Sequence, residues 1–372
     1  SATPDVATFY QAKRGRYQLL ALPERVSPHS AMPEVSIVDL REELRAGNLS
    51  LLSRVLKEKT ARALRGGEQV IFFLNRRGAA TFIQCRHCGR VFRCPRCQVA
   101  LNYHLAENSL ICHQCSYRAQ VPLLCPECHS PHLSFLGTGI QKLEEEVRSS
   151  FPQARVLRWD SDTVKGRYAH EEILAKFRNH EADILIGTQM VASGLDLPGV
   201  TLVGVVSADS ALNLPDFRAG ERTFQLLCQV AGRAGRGELS GEVVIQSYAP
   251  RHYAISTAVG HNYQAFYERE INYRLRLGNP PFSHLVTFSY VHQSGAIARR
   301  EAERLKRRIL EERDARGIPE LRLIGPAPAF IPRLRGRYHW QLTLRSPEVP
   351  DFLSQLNLGR GWSVDVDPMG LT

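Results

Sequence analysis

Apolar positions along the chain alternate between short β-rich runs and amphipathic helical stretches up to about residue 250, with one cysteine-dense interruption. Leu51 to Leu64 carries a helical period, and Gln69 to Leu74 follows as an apolar run. Beyond the cysteines, Gly137 to Ser149 predicts a helix. Arg155 to Trp159, Asp183 to Ile186, Val200 to Val206 and Glu242 to Gln246 predict buried strands. Strands joined by helices of this length predict an α/β fold built on a parallel, doubly wound sheet. Ligands of such sheets sit at the carboxyl ends of the strands.

Past Pro250 the rhythm changes. A helix is expected over Tyr253 to Arg276, then a break at Asn279-Pro280-Pro281. A strand (Leu285 to Val291), a long basic helix (Gly295 to Arg316) and a strand (Leu321 to Ile324) come next. Another strand (Trp340 to Leu344), a short helix (Val349 to Leu356) and a last strand (Trp362 to Val366) complete the chain. The order β-α-β-β-α-β predicts a ferredoxin-like α+β domain. Arg300, Arg304, Lys306, Arg307 and Arg308 read as a solvated helix face. The segment Arg333 to Trp340 reads as a loop mixing guanidiniums with aromatics, suited to stacked bases, phosphates or a carboxylate tail.

A length of 372 residues, 43% of them hydrophobic, is enough for two or three cores. Forty-eight Lys and Arg against 37 Asp and Glu leave a net charge of +11, which makes an extended polyanion a plausible partner. No run approaches the roughly 20 apolar residues of a membrane-spanning helix, so a soluble, cytoplasmic protein is expected. The opening Ser1-Ala2-Thr3-Pro4 is a polar turn with no element before it, which suggests the interior of a longer polypeptide.

Eight of the nine cysteines form four Cys-x-x-Cys pairs within 44 residues: Cys85/Cys88, Cys94/Cys97, Cys112/Cys115 and Cys125/Cys128. Each pair can aim two thiolates at one tetrahedral ion, and two pairs close a four-sulfur site, so two structural Zn²⁺ are expected. Fourteen residues separate the second pair from the third, close to a zinc-ribbon hairpin, whereas five between the first and second are few for reversing the chain. A nested arrangement follows, with Cys94, Cys97, Cys112 and Cys115 on an inner ion and Cys85, Cys88, Cys125 and Cys128 on an outer one; interleaving stays open. With eight thiolates available, His87, His104, His113, His129 and His132 are expected to be bystanders. Cys228, isolated in an apolar helix, reads as packing.

Candidate chemistry lies at the ends of the predicted strands. Thr188 and Gln189 follow one strand, where a hydroxyl and an amide can hold a phosphate backbone. Arg233 and Arg236, one helical turn apart and preceded by Gln229, can reach a triphosphate. Together with Ser1 to Pro4, Phe73-Leu74-Asn75-Arg76-Arg77-Gly78, the cysteine pairs and the tail Val364 to Pro368, these segments resemble the PriA family of bacterial replication-restart proteins, within superfamily 2 DNA helicases.

The resemblance implies the end of a first RecA-like lobe and a linker (1–35), a second RecA-like lobe (36–84 and 133–250), a zinc-binding insert (85–132) and a C-terminal DNA- and partner-binding domain (251–372). Ser1 to Pro4 would be motif III, the Thr188 segment motif V and the Gln229 segment motif VI. Gln229, Arg233 and Arg236 would sense nucleotide, Gly194 and Asp196 would lie at the cofactor, and Arg76, Arg77, Thr188 and Gln189 would track DNA. No Gly-x-x-x-x-Gly-Lys-Ser/Thr occurs in these residues, so ATP and Mg²⁺ would bind only with the first lobe, and the chain alone is expected not to hydrolyse ATP.

The implied activity is recognition of stalled or branched forks and recruitment of the helicase-loading machinery, with 3′-to-5′ unwinding in the full-length family. Implied partners are branched and single-stranded DNA, other primosome proteins and the C-terminal tail of single-stranded-DNA-binding protein, the last contacting Arg337 and Gln341. The place of action would be the replication fork in the nucleoid. Two departures raise the alternative of an ATP-independent fork binder. Where the family's motif V continues Lys-Gly-His-Asp, this chain reads Ser193-Gly194-Leu195-Asp196, and a usual Leu-Asp-x-Asp is Val206-Ser207-Ala208-Asp209.

Overall fold

The computed structural model describes residues 1–22, 32–75, 81–96, 99–104, 108–112, 117–136, 139–160, 169–188, 197–234 and 240–370. Strands β1 (Glu34–Asp39) and β2 (Gln69–Phe73) precede the cysteine block. Within it lie β3 (Thr81–Cys85), β4 (Asn102–His104), β5 (Ser109–Ile111), β6 (Arg118–Gln120) and β7 (Leu133–Leu136). There follow β8 (Val156–Trp159), β9 (Ile184–Gly187), β10 (Val200–Val205) and β11 (Glu242–Ser247), and then β12 (His284–His292), β13 (Arg322–Leu334), β14 (Arg337–Ser346) and β15 (Trp362–Val366).

Six strands form one sheet in the order β1-β11-β10-β2-β9-β8, and every pairing is parallel. Successive side chains of a strand point to opposite faces, and the core divides accordingly. Ile71, Phe73, Leu185, Val203 and Ile245 pack on one face. Val70, Phe72, Ile184, Ile186 and Val244 pack on the other, against Leu52 and Leu56 beside the helix Arg54–Arg65. That helix crosses so close that a Cβ at Gly204 of β10 would lie 2.8 Å from Leu56 Cδ1 and 2.9 Å from Phe72 Cδ1, so the strand carries glycine there.

The cysteine-rich segment is inserted between β2 and the helix Ile140–Ser150, and so leaves the parallel sheet at the carboxyl end of β2. It folds as a separate five-stranded sheet of order β6-β5-β4-β3-β7, whose β3 and β7 pair antiparallel as a stem. The C-terminal sheet has the order β13-β14-β12-β15 with antiparallel neighbours. Counting its strands in chain order gives 4-1-3-2 across the sheet, the ferredoxin-like arrangement. Helix Gly295–Ala315 covers it through Leu305 and Ile309, packed with Val286, Phe288, Leu342 and Leu344.

Three local expectations are corrected, and one strand is added that the sequence reading did not include. Edge strand β1 carries no fully buried residue and gave no strong apolar signal, yet it pairs along its whole length with β11. The helix expected from Tyr253 to Arg276 is two, Tyr253–Val259 and Tyr263–Leu277. Gly260 ends the first, His261 takes φ +48°, and Asn262 Oδ1 caps the second by accepting from the Ala265 N–H at 2.9 Å. The segment read as a loop from Arg333 to Trp340 is the end of a hairpin, because Arg335 (φ 49°) and Gly336 (φ 78°) make a two-residue turn with both residues left-handed. Finally, the short helix near residue 350 is a 3₁₀ turn, Asp351–Gln355.

Arg274 is fully buried and joins the units of the chain. Its Nη2 donates to Glu221 Oε2 at 2.7 Å and its Nε to Glu270 Oε1 at 2.7 Å. Glu221 also accepts from the Val6 N–H at 2.7 Å, which docks helix Val6–Lys13, and Glu270 accepts from the Tyr253 hydroxyl at 2.6 Å. Burial opposes the guanidinium charge, but the two carboxylates outweigh it and raise the pKa of Arg274. Arg274→Met removes the cation and leaves two carboxylates buried; denaturant unfolding should show a loss of about 3–5 kcal/mol. A loss below about 1 kcal/mol would contradict this account.

A second test concerns His252, whose Nδ1 accepts from the Ala254 N–H at 3.2 Å and caps helix Tyr253–Val259. Burial, and then the nearby Arg93 charge, push its pKa down to about 4. An unfolded histidine takes its proton near pH 6.5, so the stability carried by the neutral ring is complete above that pH and is lost as the pH falls through the folded value. His252→Asn keeps a capping acceptor without the titration. Its Tm should fall less than the parent's between pH 6.5 and 4, and parallel curves would refute the assignment.

Candidate metal centre and nucleic-acid interface

The four Cys-x-x-Cys turns share one backbone bond: the N–H of the first cysteine donates to the carbonyl five residues on. The bonds are Cys85 to Arg90 (2.8 Å), Cys94 to Val99 (2.8 Å), Cys112 to Tyr117 (2.9 Å) and Cys125 to Ser130 (2.9 Å). In the first and fourth turns, whose cysteines are all described, both sulfurs of each turn lie together. In the first turn Gly89 (φ +81°) makes the reversal and in the fourth His129 (φ +54°) does so.

The first and fourth turns meet. The Sγ atoms of Cys85, Cys88, Cys125 and Cys128 all lie within 4.8 Å of one another, with 3.6 Å from Cys85 to Cys128 and 3.7 Å from Cys88 to Cys125. A disulfide is about 2.05 Å long, whereas a tetrahedral site with Zn–S near 2.3 Å has sulfur–sulfur edges of about 3.8 Å. The donor set therefore fits zinc. Burial opposes ionisation of Cys125, but N–H groups of Cys128 and Glu127 and the neighbouring thiols outweigh it and bring the thiol down to about 7. Burial pushes Cys85 and Cys88 up. Thiolates packed this closely need a cation among them.

Cys94 and Cys112, from the second and third turns, are buried in a common cluster with Ile83, Leu101 and Leu110. Cys97 and Cys115 lie outside the described residues. The cysteine module is fixed to the parallel sheet at its first turn. Arg86 Nε donates to the Tyr248 hydroxyl at 2.9 Å, and a Cβ on Gly89 would sit 2.6 Å from the Tyr248 carbonyl oxygen, so only glycine permits the approach. The sequence offered no sign of this contact, because Tyr248 is 159 positions from Gly89 and belongs to no motif.

At the carboxyl edge of the parallel sheet, Thr188 follows β9 and is half-buried. Gln229 is exposed in the last turn of helix Ala219–Ala231, and half-buried Arg233 follows just past its end. Glu221 and Gln225 of the same helix hold the N-terminal segment through Val6 and through the Thr3 carbonyl, the latter at 3.2 Å. Asp209, the carboxylate retained in Val206-Ser207-Ala208-Asp209, is wholly buried and accepts from the Tyr248 N–H at 2.9 Å; burial raises its pKa. It braces a loop and does not face solvent. Arg76, Arg77, Gln189, Gly194, Asp196 and Arg236 lie outside the described residues.

In the C-terminal sheet, Arg337 is exposed at the hairpin tip, and Gln341, four residues along β14, falls on the same face. Gln341 Nε2 reaches Ser289 Oγ at 3.5 Å. Trp340 is half-buried opposite Tyr290. The final residues also tie this sheet to the parallel one, since Arg218 and Arg222 donate to the Met369 carbonyl.

Among the described residues, no helix is long and apolar enough to cross a membrane. Three family models match in series: the PriA DNA helicase Cys-rich region over residues 94–119, the helicase conserved C-terminal domain over 136–238, and the primosomal protein N C-terminal domain over 276–369. The chain is 45% identical over 345 residues to replication restart protein PriA of Bacillus subtilis (strain 168), an alignment covering 93% of this chain and 42% of the relative. The same-named protein of a Synechocystis species is 40% identical over 386 residues (100% and 46%), and that of Haemophilus influenzae 38% over 348 (93% and 46%). The chain thus spans a little under half the length of these relatives. With its parallel sheet, its zinc-ribbon region and its antiparallel C-terminal sheet each matched in turn along one sequence, the chain is similar to the replication restart proteins PriA through all three units.

Proposed function

We propose that the chain forms the second motor lobe (36–84 and 133–250), zinc insert (85–132) and C-terminal domain (251–372) of a replication-restart protein that recognises stalled or branched DNA forks and recruits the helicase-loading machinery. Residues 1–35 are assigned to the end of a first lobe and its linker. One observation carries the reading: identity to PriA of 45% continues through all three units in 345 aligned residues. The alternative of an ATP-independent scaffold is not favoured, because the helicase model matches 136–238, including the segments around Thr188 and Arg233.

In this reading ATP and Mg²⁺ lie between this lobe and the first lobe of the longer protein. Gln229, Arg233 and Arg236 face the triphosphate, where guanidinium charge offsets charge developing on transfer, and Gly194 and Asp196 lie beside it. Thr188 and Gln189, with Arg76 and Arg77, hold the backbone of one strand without reading bases, and translocation runs 3′ to 5′. Arg337 and Gln341 receive the acidic tail of single-stranded-DNA-binding protein. Other primosome proteins complete the assembly in the cytoplasm, at forks in the nucleoid.

Cys85, Cys88, Cys125 and Cys128 hold one zinc and Cys94, Cys97, Cys112 and Cys115 a second; four turns with one common closing bond support four equivalent ligand pairs. Each site has four sulfur ligands and no place for water, so the ions brace the fold and do not activate a nucleophile. Elemental analysis should find two zinc ions per chain and one in the Cys85→Ser/Cys125→Ser variant; one or none in the parent chain would sink the assignment. In the full-length protein, ATP turnover should require forked DNA and drop about 10³-fold or more in Arg233→Ala. Turnover that survives this change would remove Arg233 from the nucleotide site.

A further inference from the structure

A cleft of about 680 Å³ opens where the cysteine module, the linker helix Tyr263–Leu277 and the C-terminal sheet come together. Five arginines line it: Arg93 and Arg96 from the turn around Cys94, Arg276 from the end of the linker helix, and Arg322 and Arg345 from β13 and β14. Among the described residues its one lining carboxylate, Asp216, has a side chain with no exposure and is paired with Arg222 at 2.8 Å. Arg96, Arg276 and Arg322 are exposed and have no carboxylate partner among the described residues.

Two features set this cleft apart from an ordinary basic surface. Arg322 and Arg345 are register partners on adjacent antiparallel strands, and like charges placed directly opposite destabilise a sheet. The arginines are also held in place: Arg93 Nη2 donates to Asn213 Oδ1 at 3.3 Å, and Arg345 Nη1 to the Leu277 carbonyl at 2.9 Å. Tyr273 and Phe217 add aromatic surface to the same walls.

Fixed positive charge from three separate elements, mixed with aromatic rings in a concave space, suits a sugar–phosphate backbone with partly stacked bases. The cleft's volume of about 680 Å³ suits a short stretch of one strand. Helix Asp209–Leu212 and the loop after it, which leave the carboxyl end of β10, supply Leu212 and Leu214 to its wall, so it adjoins the edge of the parallel sheet where ligands bind. We propose that this cleft is a binding path for single-stranded nucleic acid between the zinc module and the C-terminal domain. The proposal rests on the DNA-binding reading above and assigns it a specific site.

The test measures binding of a fluorescein-labelled oligothymidine to the chain by anisotropy across a salt series. Three proteins are compared: the parent, Arg276→Ala/Arg322→Ala, and Arg300→Ala/Arg307→Ala, which removes equal charge from the solvated face of helix Gly295–Ala315. Loss of two phosphate contacts should lower the slope of log affinity against log salt by about 1.4 and weaken binding roughly tenfold in the cleft variant. The control variant should match the parent. An unchanged cleft variant, or equal losses in both variants, would overturn the cleft while leaving DNA binding by the chain intact. A parent chain that does not bind the strand would overturn the DNA-binding reading and the cleft with it.

Discussion

Arg274 is the point on which the arrangement of the chain depends. A guanidinium with no solvent exposure is tolerable only if its charge is met, and it is met by carboxylates from two helices: Glu221, beside the N-terminal helix, and Glu270 of the linker helix itself. The same Glu221 takes the Val6 N–H, and the same Glu270 takes the Tyr253 hydroxyl. One buried charge therefore fixes the N-terminal helix, the helix that leads to Arg233, and the linker that carries the C-terminal sheet. Two of these three belong to the helicase lobe or its approach, so the set of that lobe and the placement of the C-terminal domain share a single electrostatic constraint.

The zinc module is held by a different principle. Among the described residues it buries only a small cluster around Ile83, Leu101 and Leu110, and the four sulfurs of its first and fourth turns need a cation to sit so close together. Metal binding thus supplies folding energy that a core of that size cannot. Because the module leaves the parallel sheet at the end of β2 and is pinned through Gly89 and Arg86 to Tyr248, its position follows that of the sheet's carboxyl edge.

Much of this was legible in the sequence where one physical signal dominates. The inner strands β2, β9 and β10 are buried throughout, and a strand covered on both faces must be apolar throughout. The cysteine pairs announce themselves by spacing, and the alternating C-terminal strands gave the ferredoxin-like order. Edge strand β1 was not readable because it is only partly covered, and the break at Gly260 to Asn262 was masked by helical periods on both sides. The Arg335-Gly336 turn was missed because arginine seldom adopts the left-handed conformation. The arginine cleft was invisible for a different reason. Its members are spread from Arg93 to Arg345, and only the packing of three units brings them together.

The account holds that these units form one surface for branched DNA, with charge contributed by each. The most direct measurement is a competition at one fixed, near-physiological salt concentration, in which a fork, a plain duplex and a single strand of equal phosphate content displace a labelled fork from the chain. The account predicts that the fork displaces best, because only a branch engages the motor lobe, the zinc module and the C-terminal domain at once. Equal displacement by all three would mean that the chain responds to phosphate charge alone, and would contradict fork recognition by this part of the protein.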